Sequence, residues 1–415
     1  MNTSLQIRDF DDPAFDPFTA MDEGFGPHVR DPYPRIAALR RQAAVHKVDY
    51  RVLFGLEPDV TMADLPHATV LGYDAVMAVY GDPATYSNKI YERNLGVGFG
   101  RSISLMDAPE HARYRRIFQK AFLPNIVARW GESLVTPVIH DLMDRFIDRG
   151  HADLVREFTA LYPFHIIYRQ LALPRDDIAV FHKLAVALTC TAIDVARAVE
   201  ANGKLGAYYD ALTERRSAEP GDDLVSLLAT AEADGERLPK EIIVSFLRQL
   251  MNAAGDTTYR ATSCLLFGLL NHPDQLDAVR RDRALVPAAI EEALRWECPV
   301  LCGSRITTRD VTLAGVDLPA GTALDVANGS ANHDETHFPS PERFDIFRPA
   351  GARHLGFAYG PHVCIGQHLA RVEMTRALNA VLDRLPNLRL DPDRPAPEIR
   401  GIMMRVPAAL PVRFG

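Results

Sequence analysis

Apolar residues recur at helical spacing over most of this chain, and prolines or glycines mark the breaks between the periodic stretches. The longest stretch predicts one helix over residues 239–271, which begins at a proline and is stopped by Asn271-His-Pro273. A helix of about 30 residues is roughly 45–50 Å long. Shorter helices are predicted over residues 35–41 and 367–378, and short strands at residues 44–48 and 68–71. The pattern therefore predicts a mainly α chain with small β-sheets.

No repeat, low-complexity tract or linker divides this pattern, so we predict one domain over residues 1–415. The chain has 415 residues and 47% hydrophobic content, which is enough for a large core. Its net charge of −8 does not indicate a nucleic-acid partner. No apolar run approaches the ~20 residues that cross a bilayer, and the acidic N-terminus does not resemble a signal peptide. We therefore expect a cytoplasmic protein with neither a membrane nor a nucleic-acid partner.

Candidate chemistry is concentrated in the stretch HLGFAYGPHVCIGQHLAR, residues 354–371. Cys364 lies just before a predicted helix, where free backbone N–H groups and the positive end of the helix dipole stabilise a thiolate. Gly360 and Gly366 flank it and allow both a sharp turn and the close approach of a large flat group. A buried thiolate beside a flat group suggests a haem iron held by cysteine sulfur.

Two other interpretations of this stretch stay open at this point. A lone cysteine in an apolar run is usually a small buried core residue. The thiol could also join His354, His362 and His368 in a zinc site, since these are zinc ligand types. The five cysteines are an odd number without the spacing of a disulfide framework, which fits a reducing compartment: Cys190, Cys264, Cys298, Cys302 and Cys364.

A second candidate motif, Ala253-Ala-Gly-Asp-Thr-Thr258, lies inside the long predicted helix. The Thr257 hydroxyl can bond to the Ala253 carbonyl and bend the helix beside Gly255. Asp256 and Thr257 would then place an acid and an alcohol at the bend, where they could deliver protons while an O–O bond is split. The alternative is a buried packing pair without a chemical role.

The two motifs together resemble the family of cytochromes P450. The cysteine loop resembles the family's haem-ligand loop, although Ala358 stands where glycine is usual. The helix motif resembles the family's Ala/Gly-Gly-x-Asp/Glu-Thr-Thr, with Ala254 replacing the more frequent glycine. The resemblance implies a cytochrome P450 fold of the bacterial soluble type, with haem b (iron protoporphyrin IX) between the long central helix and the cysteine loop.

The resemblance also implies roles for individual residues. Asp256 and Thr257 would be catalytic, and Cys364 would ligate the iron. The helix predicted to follow an Asp107 cap would present two basic side chains to the haem propionates, and two later basic residues would assist them. The residues expected to contact the haem are His111, Arg115, Ala253, Arg305, His354, Phe357, Gly360, His362, Cys364 and Gly366.

A structural cluster and a set of substrate contacts are expected as well. Glu292, Arg295 and Arg343 resemble the family's ionic cluster behind the haem. Residues 88–101 resemble the variable loop over the substrate pocket, and helix geometry puts Gln249 on the face of Thr257 with Asn252 adjacent. The expected substrate contacts are Tyr91, Gln249, Asn252, Leu301, Cys302 and Met403.

The resulting hypothesis is a haem-thiolate monooxygenase that inserts one oxygen atom of O₂ into an apolar organic molecule. Two amides in an apolar pocket favour a substrate with an oxygen function, of the terpenoid, steroid or aromatic type. We expect a monomer that receives electrons from a ferredoxin and its reductase, docked on the basic residues Arg113, Arg116 and Lys120. The alternatives are a peroxide-driven haem-thiolate oxygenase and a non-enzymatic haem-thiolate sensor.

Overall fold

A computed structural model describes residues 5–12, 14–233 and 235–415 of the chain. Within these ranges most of the ordered chain is helical, and 3₁₀ and π turns join several of the helices. The α-helices are α1 Pro17–Gly24, α2 Tyr33–Gln42, α3 Tyr73–Gly81, α4 Leu95–Phe99, α5 Glu110–Lys120, α6 Pro124–Trp130, α7 Thr136–Met143, α8 Tyr162–Gln170, α9 Ile178–Ala187, α10 Val195–Ala218, α11 Leu224–Thr230, α12 Lys240–Asn271, α13 Pro273–Arg281, α14 Val286–Trp296, α15 Asn328–Ala331 and α16 Gln367–Arg384.

The strands are short and form small sheets. They are β1 Val45–His46, β2 His67–Val70, β3 Tyr86–Ser87, β4 His151–Asp153, β5 Glu232–Ala233, β6 Glu236–Arg237, β7 Gly303–Thr307, β8 Val311–Leu313, β9 Val316–Leu318, β10 Ala323–Val326, β11 Arg389–Leu390, β12 Ile399–Arg400, β13 Val406–Pro407 and β14 Pro411–Arg413. The largest sheet has the order β1-β2-β10-β7-β3, in which β2 and β10 are parallel and the other neighbours antiparallel. A three-stranded sheet has the order β11-β14-β4.

The helix α12 runs through the main hydrophobic core and packs against α8, α10, α14 and α16. It follows Pro239 and ends before His272-Pro273, because a proline disfavours helical geometry in the residue before it. Gly255 permits the close approach of α8, since a Cβ there would lie 2.3 Å from the Phe164 ring. The helix predicted over residues 239–271 is therefore confirmed, and it continues through the Asp256-Thr257 motif without interruption.

The predicted strands at residues 44–48 and 68–71 are confirmed as β1 and β2. Two local predictions are wrong. The segment 88–101 is not an irregular loop, because Asn88–Arg93 forms a 3₁₀ helix that continues into α4. The Asp107 carboxylate does not cap α5: it accepts hydrogen bonds from the Asn88 backbone N–H, at 3.1 Å, and from the Ser87 hydroxyl. Asp107 therefore fixes the start of the 3₁₀ segment instead.

Within the described ranges, no helix combines the length and the apolar composition that crossing a membrane requires.

Candidate active site

A cavity of about 380 Å³ lies between α12 and the cysteine loop, residues 354–366. Its wall is mostly apolar, with a basic group at one side and a few neutral polar side chains at another. The apolar lining includes Leu95, Ile103, Phe122, Phe246, Leu250, Ala253, Ala254, Ala261, Leu294, Pro299, Val300, Phe357, Ala358, Val363, Ile365, Leu369 and Met374. The expected contacts Ala253, Phe357 and Gly366 all lie on this wall.

Unlike the other four cysteines, which are buried, Cys364 is exposed, and it lines the cavity. Its backbone N–H donates to the Phe357 carbonyl at 3.0 Å, which closes the loop behind the sulfur. Burial raises the pKa of the thiol, while the N–H groups of Gly366 and Gln367, at the start of α16, and the cation of Arg115 act in the opposite direction. The position thus combines a sulfur that faces the cavity with donors that stabilise its charged form.

The approach to Cys364 is a tight turn. Gly360 has φ +72°, and a Cβ there would lie 2.1 Å from the carbonyl oxygen of Tyr80. Glycine is thus required by packing against α3, and Gly360 does not line the cavity, so its predicted contact with a flat group is wrong. Ala358, the departure from the family pattern, has φ +58°, a conformation that costs alanine about 1–2 kcal/mol.

Four basic side chains meet at one side of the cavity, and we call them the basic cluster: His111, Arg115, Arg305 and His362. The two imidazole rings stack with their centroids 3.8 Å apart. Burial together with the Arg115 cation lowers the pKa of His111 to about 4. Burial, His111 and Arg305 lower the pKa of His362 to about 2. Mutual repulsion of this kind favours a bound anion.

The basic cluster fits the two carboxylates of a haem. In the described part of the chain, Arg115 and Arg305 form no ion pair, and their guanidinium groups donate to the carbonyls of Val363 and Ser304. The buried Nε2 atom of His111 has no hydrogen-bond partner among these residues. With a sulfur ligand at Cys364 on the same cavity, the donor set suits a flat iron-bearing group with anionic edges.

His354 is not part of the basic cluster, so its predicted contact with the haem is wrong. Its Nε2 atom lies 2.8 Å from the Glu291 carboxylate, which also accepts two hydrogen bonds from Arg371. Burial acts to raise the pKa of Glu291, but the hydrogen bonds from Arg371 and His354 outweigh it and lower the pKa to about 2. The guanidinium of Arg371 in turn covers the Phe357 ring, with its carbon 4.5 Å from the centroid. His354 thereby attaches the cysteine loop to α14.

On the opposite wall, α12 presents Thr257 to the cavity. Its hydroxyl donates to the Ala253 carbonyl at 2.8 Å, as the sequence predicts. Asp256 does not line the cavity, because its carboxylate accepts from Arg260 Nε at 3.0 Å one turn along the helix. The acid and the alcohol are therefore adjacent, with only the alcohol facing the cavity.

Three neutral polar side chains on the wall form a group connected by hydrogen bonds, which we call the polar wall: Asn88, Ser104 and Gln249. Gln249 Nε2 donates to Ser104 Oγ at 2.7 Å, and Asn88 Nδ2 donates to the Ser104 carbonyl at 2.7 Å. Tyr91 also lines the cavity, and its hydroxyl accepts from the Ser304 backbone N–H at 2.8 Å. Two expected substrate contacts, Tyr91 and Gln249, are thus located at the cavity.

The other expected substrate contacts lie elsewhere, and those four predictions are wrong. Asn252 turns toward α9, where its Nδ2 is 3.5 Å from the Ala185 carbonyl. Leu301 is fully buried against Gly329, while Cys302 and Met403 belong to a separate core cluster around Ile36 and Leu71. Val300 and Gly303 reach the cavity wall, whereas the two residues between them do not.

The ionic cluster behind the cavity is present with one member changed. Both Glu292 oxygens accept from Arg295 at 2.8 Å, and Arg348 Nε lies 3.2 Å from the same carboxylate. Arg343 contributes only its backbone carbonyl, which accepts from both arginines, and its side chain is exposed. The third charged group is therefore Arg348, which corrects the prediction of Arg343.

Sequence reasoning missed several cavity residues. Phe246 and Leu250 precede Ala253 at helical spacing on α12, so periodicity could have identified them. Glu373 also lines the cavity, and burial raises its pKa well above the usual range. It lies on the buried face of α16 between Leu369 and Ala377, so an acid within an apolar stripe was the available signal.

Comparison with known proteins agrees with this geometry. The profile described as cytochrome P450 matches residues 198–407. The chain is 33% identical over 404 residues to the cytochrome P450 monooxygenase PikC of Streptomyces venezuelae, covering 92% of this chain and 91% of that protein. It is 34% identical over 343 residues to the vitamin D3 dihydroxylase of Streptomyces griseolus, covering 80% and 84%. The crystal structure of CYP109E1 from Bacillus megaterium in complex with testosterone matches with a TM-score of 0.81 at 27% identity, covering 93% and 99%.

Similarity of this extent includes the long central helix, the cysteine loop and the small sheets together. The chain belongs to the cytochrome P450 family of monooxygenases, in which a cysteine thiolate holds the haem iron.

Proposed function

We propose that this monooxygenase inserts one oxygen atom of O₂ into an apolar small molecule that itself carries an oxygen function, with electrons from a ferredoxin. The observation that carries the proposal is the cavity itself. Cys364 and the basic cluster lie on one side, Thr257 lies on α12, and the polar wall interrupts a mostly apolar lining. The cavity thus offers a place for the cofactor, a proton donor and one orienting contact for a substrate.

The cofactor that fits is haem b, with Cys364 as the iron ligand and the basic cluster at its two carboxylates. When bound, it supplies the activation of O₂, with the thiolate favouring O–O cleavage. The chain's own contribution is to present the Cys364 sulfur to the cavity, to neutralise the carboxylates through Arg115 and Arg305, and to exclude water with the apolar lining.

Proton delivery is assigned to Thr257 with support from Asp256. The Thr257 hydroxyl is oriented by its bond to the Ala253 carbonyl, and it can pass a proton into the cavity by turning away from that carbonyl or by exchanging its proton with a water. Asp256 lies next along the helix and is held by Arg260, which orients its carboxylate outside the cavity lining. The Asp256 carboxyl group can therefore transfer a further proton to the Thr257 hydroxyl from outside the cavity lining.

Replacing Thr257 with alanine is expected to leave substrate binding intact while most of the NADH consumed yields hydrogen peroxide instead of product. The reason is that the cavity would lose its oriented hydroxyl at the step that needs a proton. We expect product per NADH to fall at least about tenfold, because a positioned proton donor typically contributes about 10²–10⁴-fold to the step it serves. Thr257→Ser, which keeps the hydroxyl, is the matched control and should restore most of the coupling. Unaltered coupling in Thr257→Ala would exclude Thr257 from proton delivery.

The substrate class follows from the polar wall. Gln249 already donates to Ser104, so its amide oxygen can accept a hydrogen bond from a substrate hydroxyl. An apolar ligand that covers this oxygen without pairing it pays about 1–3 kcal/mol. Two relatives are named for oxygen-bearing polycyclic ligands, vitamin D3 and testosterone. We therefore infer a hydroxylated terpenoid or steroid as the substrate type, held with its polar end at Gln249.

Replacing Gln249 with leucine is expected to weaken binding of a hydroxylated steroid about tenfold, because one charge-neutral hydrogen bond is lost. Its deoxygenated hydrocarbon analogue should bind equally well or better. Titration of testosterone and its parent hydrocarbon, followed by the spectral change of the haem on ligand binding, measures both affinities.

The matched control for this test is Asn252→Leu on the same helix, because the Asn252 amide points away from the cavity toward Ala185. It should leave the preference between the two compounds unchanged. If wild type prefers the hydrocarbon and Gln249→Leu changes neither affinity, the amide belongs to the scaffold and the substrate proposal is wrong.

The electron donor is proposed from the exposed face of α5. Arg113, Arg116 and Lys120 are exposed there, while His111 and Arg115 of the same helix reach the cavity. Arg113 pairs with Glu236 and Lys120 donates to the Glu232 carbonyl, so the hairpin β5–β6 shares in this surface. A basic surface joined to the basic cluster by one short helix suits an acidic ferredoxin.

Charge reversal in Arg116→Glu is expected to slow the first electron transfer from a ferredoxin several-fold at low ionic strength and to flatten its salt dependence. The control Arg175→Glu makes the same change in net charge at an exposed arginine that precedes α9. Stopped-flow reduction of the haem at several salt concentrations measures both effects. Equal rates for Arg116→Glu and wild type at low salt would reject this docking face.

A further inference from the structure

A second group of ligand-type side chains lies at the five-stranded sheet, outside the cavity lining. Asp49 follows β1, His67 begins β2, and Asp325 lies in β10. The strands β2 and β10 are parallel, with Ala323 beside His67 and Asp325 beside Thr69. Since alternate residues share a face of a sheet, His67 and Asp325 project to the same side, two positions apart along the paired strands.

The orientation of His67 is fixed by a backbone contact. Its Nε2 atom lies 3.0 Å from the Met62 carbonyl oxygen, which can only accept, so Nε2 carries the proton of the neutral ring. The other nitrogen, Nδ1, then presents a lone pair. It is buried, has no hydrogen-bond partner among the described residues, and lies 3.5 Å from Asp49 Oδ2. A ring nitrogen that faces a carboxylate oxygen in this way needs either a proton or a metal cation between the two atoms.

The two carboxylates are also held from outside the group. Asp49 Oδ1 accepts from the backbone N–H groups of Arg51, at 2.7 Å, and Val52, at 3.2 Å. Asp325 Oδ2 accepts from the Tyr50 N–H at 2.9 Å. In the ranges the structure describes, no lysine or arginine forms an ion pair with either acid. Outer hydrogen bonds of this kind orient the ligands of protein metal sites.

We propose that Asp49, His67 and Asp325 bind a divalent transition-metal ion, for which Zn²⁺ is the best match. One imidazole and two carboxylates are common zinc ligands, and the charge of the ion would balance the two acids. Their ligand atoms all lie within 4.8 Å of one another. The ligand atoms of a tetrahedral Zn²⁺ site, each about 2.0–2.2 Å from the ion, are about 3.3–3.6 Å apart, so side-chain rotations that move these atoms by roughly 1 Å would bring them to one ion. Water would complete a tetrahedral set.

The ion would join the segment between β1 and β2 to the central sheet. Two acids of that segment contact the 3₁₀ region beside the cavity: Asp64 pairs with Arg93 at 2.8 Å, and Asp59 accepts from Asn94 at 3.3 Å. The site therefore has a structural role, and its occupancy stabilises the support of the residues over the substrate.

The test uses the haem-loaded protein after dialysis against a chelator. Zn²⁺ is added, free metal is removed, and bound zinc is measured by atomic absorption alongside the melting temperature. We expect one zinc per chain and a rise of about 2–4 °C in melting temperature. His67→Gln and Asp325→Asn should each bind zinc at least about tenfold more weakly. Asparagine at position 325 can still accept from Tyr50, so that variant keeps its fold.

His46→Gln is the matched control. His46 lies on the neighbouring strand β1, and its Nε2 atom contacts the Leu39 carbonyl at 2.9 Å, but no carboxylate of the described chain pairs with it. It should bind zinc like wild type. Absence of stoichiometric zinc in wild type, or equal binding by all four proteins, overturns the proposal. So does a stability loss in His67→Gln that is the same with chelator and with zinc, because a protonated imidazole then balances the acids.

Discussion

Replacing Cys364 with serine is expected to abolish the monooxygenase activity and the thiolate-type spectrum of the reduced, CO-bound protein. A serine hydroxyl is a poor electron donor to iron, whereas thiolate donation favours O–O cleavage. No other cysteine of the described chain lines the cavity, so none can take its place. Turnover should fall below detection, and the CO spectrum of the variant measures the ligand directly.

Cys302→Ser provides the matched control. Cys302 is buried in a separate core cluster, and burial raises the pKa of its thiol well above the usual range. This variant should keep the spectrum and the activity, with some loss of stability from a buried hydroxyl. A CO spectrum of wild-type form in Cys364→Ser would show that another group ligates the iron.

Sequence reasoning succeeded where the determining interactions are local. The bounds of α12 follow from the proline before it and from His272-Pro273 after it. The Thr257 bond to Ala253 follows from helical spacing alone, and the donors around Cys364 follow from its position before α16. Each of these features is fixed within one or two turns of chain, so the pattern of residue types suffices to predict it.

The sequence did not predict side-chain contacts correctly where the fold allows a side chain to point in either of two directions. Arg343 and Arg348 both follow Pro341 closely, and only the folded path of that segment brings Arg348 to Glu292. His354 resembles a haem contact by position, but Glu291 on α14 is close enough to pair with it. Asn252 lies near the face of Thr257 on a helical wheel, yet packing against α9 draws it away. Such choices depend on contacts between distant segments, which residue spacing does not encode.

Replacing Glu292 with glutamine is expected to lower the free energy of unfolding by about 3–5 kcal/mol, because it breaks a buried ion pair and leaves its partners uncompensated. The Glu292 and Arg295 side chains are only 5% and 3% exposed. Glu292 also accepts from the Asp345 backbone N–H at 2.9 Å, in the segment that leads to the cysteine loop. Haem should therefore be lost at lower temperature as well.

The control is Asp277→Asn on α13, where a carboxylate that is 57% exposed pairs with the half-buried Arg280 and the ion pair contributes only about 0–1 kcal/mol. Denaturant titration of both holoproteins, followed by haem absorbance and by circular dichroism, separates loss of the cofactor from loss of helix. We expect the two signals to change together in Glu292→Gln, at a midpoint well below that of wild type. Equal midpoints for Glu292→Gln and Asp277→Asn would mean that the cluster of Glu292, Arg295 and Arg348 does not support the fold. The reason is that the buried Arg295 guanidinium without its counter-charge should destabilise the protein far more than the loss of an ion pair at the surface.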